Sequence, residues 1–325
     1  MRAIVISAAG GPDVLDQREL PDPEPGPGEV LIAVAAAGVN RADVLQRQGH
    51  YPPPPGAPDW PGLEVSGIIA RLGPDVSGWA LGDRVCALLS GGGYASLAVA
   101  PVGQLLPVPD SVDLIDAAAL PEAVATVWSN VFLLGRLRAG ETLLIHGGSS
   151  GIGTMGIQLG RAFGCRVAVT AGSPAKLAAC ERLGADILID YTTEDFVDSL
   201  ERATDGAGAD VILDPIGGAY LDRNIRALGH HGRIMLIGNQ SGVPATFAVG
   251  RLMGKWGSIH ATSLRSRPEE EKDEIVASVR EKVWPLVEAQ QVVPIVDRRF
   301  ALADAPLAHE RLESSAHIGK LLLLP

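Results

Sequence analysis

The run LLIHGGSSGIGTMGIQLGRAFG at 143–164 constrains this chain more than any other segment. β-prone apolar residues stop at a cluster of glycines, and an amphipathic stretch begins at once. A strand, a tight turn and a helix in that order bring backbone very close to whatever sits above the turn, which only glycine allows. The helix start then offers unpaired N–H groups and the positive end of a dipole, a ready site for a pyrophosphate. Alternating segments follow: strands at 166–170, 187–190, 211–214 and 233–237, and helices at 174–183, 194–203 and 220–228. Repeated strand–helix–strand units require a parallel sheet covered by helices on both faces. The spacing predicts one more strand at 258–262.

The residues before this region read differently. Segments 2–6, 30–36, 65–72 and 84–89 are short β-prone runs bounded by Gly or Pro. PDPEPGPGE and GHYPPPPGAPDWPG between them hold too many prolines for helix or central strand. A helix is expected over 122–138, stopped by Ala139-Gly140, and another over 269–288 after the charged run PEEEKDE. LLLLP at the end is a candidate strand. These features predict two domains, a mostly β one from 1–121 and 264–325 and a doubly wound α/β one from 122–263.

Composition removes several classes of function. The net charge of −11 argues against binding a polyphosphate duplex. Cys86, Cys165 and Cys180 form no C-x-x-C pair, so a four-cysteine zinc site is not expected. They read as buried or half-buried thiols of a reducing, cytoplasmic compartment. MRAIVISAAGG is too short in its apolar run for a signal peptide. No stretch is read as the roughly 18 apolar residues of a membrane helix.

The second nucleotide strand ends in VAVTAGSPAK at 167–176. A site for NAD usually carries Asp or Glu there to bind the ribose 2′-hydroxyl. Here Gly172 leaves room, Ser173 can donate a hydrogen bond, Lys176 supplies a positive charge, and Tyr191 after the next strand can close the pocket. A 2′-phosphate would be met rather than repelled, so NADPH is the expected cofactor. The glycine spacing also fits a short-chain dehydrogenase. That family needs its loop near the N-terminus and a Tyr-x-x-x-Lys pair, and none of Tyr51, Tyr94, Tyr191 and Tyr220 has Lys four positions on.

Taken together, AAAGVNRADVLQRQGHYPPPPG, PGLEVSGII, GDRVCAL, AAALPEAVATVW, the 145–153 loop, TAGSPAK, LDPIGG, LIG at 236–238, LRSR at 264–267 and HIGKLLL at 317–323 resemble the zinc-free quinone oxidoreductases of the medium-chain dehydrogenase/reductase superfamily. The likeness runs the length of the chain. It is nearest to the tumour-suppressor-inducible type, with zeta-crystallin more distant. It implies a doubly wound parallel Rossmann sheet, binding NADPH, plus a mostly β GroES-like catalytic domain. Zinc enzymes of the superfamily carry Cys where AGVNRAD stands and His where Leu63 precedes Glu64. Both ligands are missing, so no metal is expected and Glu64 reads as a structural carboxylate. Without a Lewis acid, a quinone is the favoured acceptor, because adding hydride to it yields a delocalised aromatic oxyanion.

The resemblance also implies roles for single residues. Asn40 would lie near the nicotinamide ribose and Thr126 at the nicotinamide end. Ser150, Gly151 and Ile152 would hold the pyrophosphate, and Gly172, Ser173, Lys176 and Tyr191 the 2′-phosphate. Gly238, Ser263, Leu264 and Arg265 would complete the nicotinamide side, with Lys320 a weaker candidate. Tyr51, in the proline-rich loop, is the expected substrate-side group, a positioning residue first and a proton donor second. His146 is expected to pack at the phosphate loop, and His230 and His231 to be exposed. Reduction of enones, alkenals or enoyl thioesters is the competing activity, and a non-catalytic NADPH-binding protein the competing class. Pairing through strand 258–262 predicts a homodimer.

Overall fold

The computed structural model describes residues 1–325. The chain opens with a hairpin of β1 (Arg2–Ile6) and β2 (Leu15–Glu19). It continues through β3 (Glu29–Val39), α1 (Arg41–Arg47), β4 (Glu64–Leu72), β5 (Arg84–Leu88), β6 (Leu97–Pro101), β7 (Leu105–Pro107) and α2 (Pro121–Val127). An alternating series follows: β8 (Thr142–His146), α3 (Gly151–Ala162), β9 (Arg166–Ala171), α4 (Pro174–Leu183), β10 (Ile187–Asp190), α5 (Phe196–Ala203), β11 (Ala209–Asp214), α6 (Leu221–Ala227), β12 (Leu228–Leu236), α7 (Val249–Gly254) and β13 (Ser258–Ala261). The tail supplies α8 (Glu269–Lys282), α9 (Trp284–Glu288), β14 (Val296–Ala301), α10 (Ala305–Glu313) and β15 (Lys320–Leu324).

Contacts divide the chain into two compact units, Met1–Ala125 with Arg265–Pro325, and Thr126–Leu264. In the first, a seven-stranded sheet has the order β14-β15-β3-β4-β5-β7, with β6 also on β3. All its pairs are antiparallel except β14 with β15, which α10 connects. Its core is built from alternate β residues such as Val30, Ile32, Val65, Ile69 and Val85, closed by Leu302, Leu312 and Leu323 from the tail. Each such side chain contributes about 1.5–3 kcal/mol on burial.

The second unit is a six-stranded parallel sheet of order β10-β9-β8-β11-β12-β13. The strands run outward from β8 in opposite directions, β9 and β10 to one side and β11 to β13 to the other, so the carboxyl ends of β8 and β11 flank the point where the order reverses. Open α/β sheets bind ligands at that point. Ile189, Ile212 and Ile234 of the strands pack on Phe196, Leu200 and Ile225 of the helices.

Two expected helices are cut short. The one read over 122–138 is α2 followed by a wider turn over Trp128–Leu134, in which the Gly135 N–H reaches back five residues to the Asn130 carbonyl. The one read over 269–288 breaks after Lys282, and Pro285 starts a separate helical piece. One correction concerns apolar length. Asp116–Leu134 is a helical stretch long and apolar enough to cross a membrane, and 78% of it is buried within the chain, as a core helix would be.

Candidate active site

The glycine turn after β8 has the predicted geometry. Gly147 has φ +72°, in the left-handed region that side chains disfavour. A Cβ on Gly153 would strike the backbone carbonyls of Gly147 and Gly148, so α3 can approach the turn only because Gly153 lacks one. Ser150 caps α3, its hydroxyl accepting from the Gly153 N–H at 3.0 Å. The N–H groups of Gly151 and Ile152, the first in α3, have no intrahelical partner and suit an anion.

Beneath this turn runs a polar chain with one consistent direction. Gly147 N–H donates to Thr170 Oγ1 at 3.3 Å, and Thr170 Oγ1 meets His146 Nδ1 at 3.2 Å. His146 Nε2 meets Asn224 Oδ1 at 2.7 Å, and Asn224 Nδ2 donates to Asp214 at 2.8 Å. Asp214 caps the turn after β11 by accepting from Ile216 and Gly217 N–H. Because Asn224 donates to Asp214, its carbonyl accepts from His146, so His146 carries its proton on Nε2 and is neutral. Burial, together with Arg223 nearby, pushes its pKa down to about 4, against the Asn224 bond that raises it. His146 thus packs at the phosphate loop, ringed by Phe196 and Tyr220.

The end of β9 carries no carboxylate. Gly172 lies under the Tyr191 ring, where a Cβ would stand 2.5 Å from the phenol oxygen. Ser173 caps α4, accepting from the Lys176 N–H at 3.4 Å. Tyr191 is half exposed. Gly172 thus meets Tyr191, and Ser173 and Lys176 follow in the first turn of α4. Thr126 is buried, with its carbonyl accepting from Asn130, and Gly238, Ser263 and Leu264 lie at the ends of β12 and β13.

In the first unit Asn40 caps α1 through a reciprocal pair with Asp43, whose carboxylate accepts the Asn40 N–H at 2.8 Å. The Asn40 amide donates to Glu64 at 2.9 Å and accepts from Lys320 Nζ at 2.6 Å. Lys320 pairs with Glu64 at 2.5 Å and also donates to the Val39 carbonyl, while the other Glu64 oxygen accepts the Glu122 N–H. All three Lys320 donors are thus taken inside the chain and the head is 6% exposed. Lys320 therefore fixes the orientation of the Asn40 amide. Arg265 likewise turns inward, donating to the carbonyls of Ser90 at 2.7 Å and Tyr51 at 3.3 Å. Its guanidinium lies 5.4 Å from the Tyr51 ring centre. Arg265 therefore anchors the proline-rich loop as well as anything it meets beyond the chain.

Sequence reasoning missed the support under Asn40. Asp43 is fully buried and accepts from Asn40, Gly62 and Tyr94. Tyr94 continues to His309, and His309 to Arg47 and its Glu313 partner. Burial raises the Asp43 pKa to about 6, and burial beside Arg47 and Arg41 drops that of His309 to about 3. Asp43 was visible as an acid three residues after a capping Asn. His309, distant in sequence, gave no signal.

A zinc ion does not fit this chemistry. No group of three or more His, Cys, Asp or Glu side chains is placed to hold a metal. Glu64 is already neutralised by an ammonium group, and Leu63 beside it is apolar and buried. Cys86, Cys165 and Cys180 are buried free thiols whose pKa values burial raises, the reverse of what a metal thiolate needs.

Over residues 26–110 the chain matches the alcohol dehydrogenase GroES-like domain, and over 151–280 the zinc-binding dehydrogenase family. It is 33% identical to a quinone oxidoreductase of Rattus norvegicus over 100% of this chain and 98% of that protein. The chain belongs to the zinc-independent quinone oxidoreductases of the medium-chain dehydrogenase/reductase superfamily. Two solved structures illustrate its neighbours. Escherichia coli quinone oxidoreductase complexed with NADPH is 29% identical, with TM-score 0.88 and full coverage of both chains. An NAD-dependent alcohol dehydrogenase is 32% identical, with TM-score 0.89 and full coverage of both. Membership accounts for the two-part architecture, and the lack of a metal-ligating group of side chains accords with zinc independence within a family whose description includes zinc.

Proposed function

We propose that this member of the family reduces quinones with NADPH, without a metal, and is of the tumour-suppressor-inducible type. The observation that carries the reading is the end of β9, where Gly172 stands under Tyr191, Ser173 and Lys176 follow at the start of α4, and no carboxylate is present. A 2′-phosphate needs a cation and hydrogen-bond donors, and an acid would repel it. The NADPH-complexed Escherichia coli relative supports this choice; the NAD-dependent neighbour is the alternative it must exclude.

In this reading 122–263 is the nucleotide domain, and 1–121 with 264–325 the catalytic domain. Gly151 and Ile152 N–H groups and the Ser150 hydroxyl hold the pyrophosphate. Asn40, with its amide orientation fixed by Glu64 and Lys320, accepts a ribose hydroxyl. Thr126, Gly238, Ser263, Leu264 and Arg265 bound the nicotinamide side. When bound, NADPH supplies the hydride. Tyr51, held by Arg265, orients the acceptor and can donate a proton to its oxygen. The three free buried thiols favour a reducing, cytoplasmic setting. A homodimer through β13 is supported by that strand being the sheet edge and by exposed Val249, Met253 and Trp256 just before it.

The test follows loss of reduced-nicotinamide absorbance with a simple quinone, an enone and an enoyl thioester side by side. Preferred turnover of the quinone supports the proposal. Preference for the enone or thioester moves the activity to alkene reduction, and no oxidation with any acceptor leaves a non-catalytic binder.

A further inference from the structure

Four cationic side chains are deeply buried in this chain: Arg47, Arg265, Lys272 and Lys320. Two have an ion-pair partner, Arg47 with Glu313 at 2.9 Å and Lys320 with Glu64 at 2.5 Å. The other two have none. Arg265 is 4% exposed and Lys272 6%. Both are anchored on one serine: Arg265 Nε donates to the Ser90 carbonyl at 2.7 Å and Lys272 Nζ to the Ser90 hydroxyl at 2.5 Å. Arg265 Nη2 is buried with no hydrogen-bond partner. It lies against Gly91, where even a Cβ would stand only 3.3 Å away.

Both heads line a cavity of about 380 Å³ lying wholly in the first unit, with Pro54, Pro58, Leu89 and Val99 also on its wall. Acids act on both through space, Asp43 and Glu122 on Arg265, and Glu269, Asp273 and Glu122 on Lys272, but none forms an ion pair with either. Burial lowers the pKa of both Arg265 and Lys272, as expected for cations with incomplete compensation. An unpaired buried charge costs several kcal/mol, and an anion bonded directly to these two heads would offset that cost.

We propose that this cavity binds a carboxylate carried on a flat apolar body, an aromatic carboxylate, with the anion between Arg265 Nη2 and Lys272 Nζ and the ring against the prolines. Planar guanidinium geometry suits a carboxylate. Glu29 and Glu269 at the wall favour a monoanion over a dianion such as phosphate. Arg265 is shared with the nicotinamide side of the proposed NADPH site, so the test is run without nucleotide and rests on Lys272, which that site does not use.

The test is equilibrium titration of nucleotide-free full-length protein with benzoate and with inorganic phosphate, followed by the fluorescence of Trp60, whose indole bonds the Gly92 carbonyl. Saturable one-to-one benzoate binding tighter than phosphate is expected. Lys272→Met should weaken it about tenfold or more, as for a lost charge-assisted bond. Without ligand the same variant should melt no lower than wild type, since it removes an unpaired charge. Lys272→Arg should keep the binding. No saturable benzoate binding, unchanged affinity in Lys272→Met, or tighter binding of phosphate would overturn the proposal.

Discussion

Lys176 is the residue on which cofactor choice turns. It sits in the first turn of α4, whose cap is Ser173, and in the proposed site would meet the 2′-phosphate in place of the missing acid. Lys176→Ala should weaken NADPH binding by about 1.5–3 kcal/mol, the range for a hydrogen bond to a charged group, and leave NADH binding unchanged. Calorimetric titration with both nucleotides checks this. A second residue-scale prediction concerns Lys320. Lys320→Met strands the Glu64 carboxylate in the interior and should cost about 3–5 kcal/mol. Adding Glu64→Gln should recover most of that loss in urea unfolding, because the burden is the unpaired charge rather than the missing methylenes. The residues proposed to hold the nucleotide could be singled out because Ser150–Ile152 and Gly172–Lys176 each lie where a short turn leads from a strand into a helix. The internal contacts of Lys320 were not legible: its partners are 256 and 280 positions away.

At the scale of elements, α3 and the turn before it are one object. The helix reaches the turn only because Gly153 has no side chain. Gly153→Ala must push apart two backbone carbonyls that cannot rotate away. Overpacking of this kind costs about 1–3 kcal/mol. Nucleotide binding should fall more steeply than stability, and comparing nucleotide affinity with melting temperature separates the two effects. The βα alternation was readable because the strands give way to Gly or Asp turns and three of the helices start at a side-chain cap, Ser150, Ser173 or Asp195. What the pattern could not give was the wide turn at Trp128–Leu134, which depends on a hydrogen bond five residues long, or the break before Trp284, where a helical period continues across a proline. Pairing order in the mostly β unit was equally hidden, since β15 joins β3 across almost the whole chain.

Across the whole molecule, four buried groups titrate against one another. Asp43 and Asp214 have pKa values raised to about 6, mainly by burial, so their ionisation costs stability as pH rises from about 4 to 6. His146 and His309 have values lowered to about 4 and about 3, so stability is lost as pH falls below their usual 6.5. The two effects oppose each other in the same window, and these four groups together contribute a nearly flat profile there. His309→Gln removes one side of the balance. Relative to wild type, its unfolding free energy should fall by about 2 kcal/mol between pH 4 and pH 6, one proton's linkage over that span. Parallel urea curves at the two pH values test this.

The account rests on hydride passing from NADPH to a quinone in a protein whose buried Lys320 already neutralises Glu64. The most direct test is a single turnover of protein stripped with a strong chelator, loaded with NADPH and mixed with a simple quinone. The account predicts that reduced-nicotinamide absorbance is lost at the same rate with or without chelator. Loss of that turnover on stripping, restored by added zinc, would contradict it.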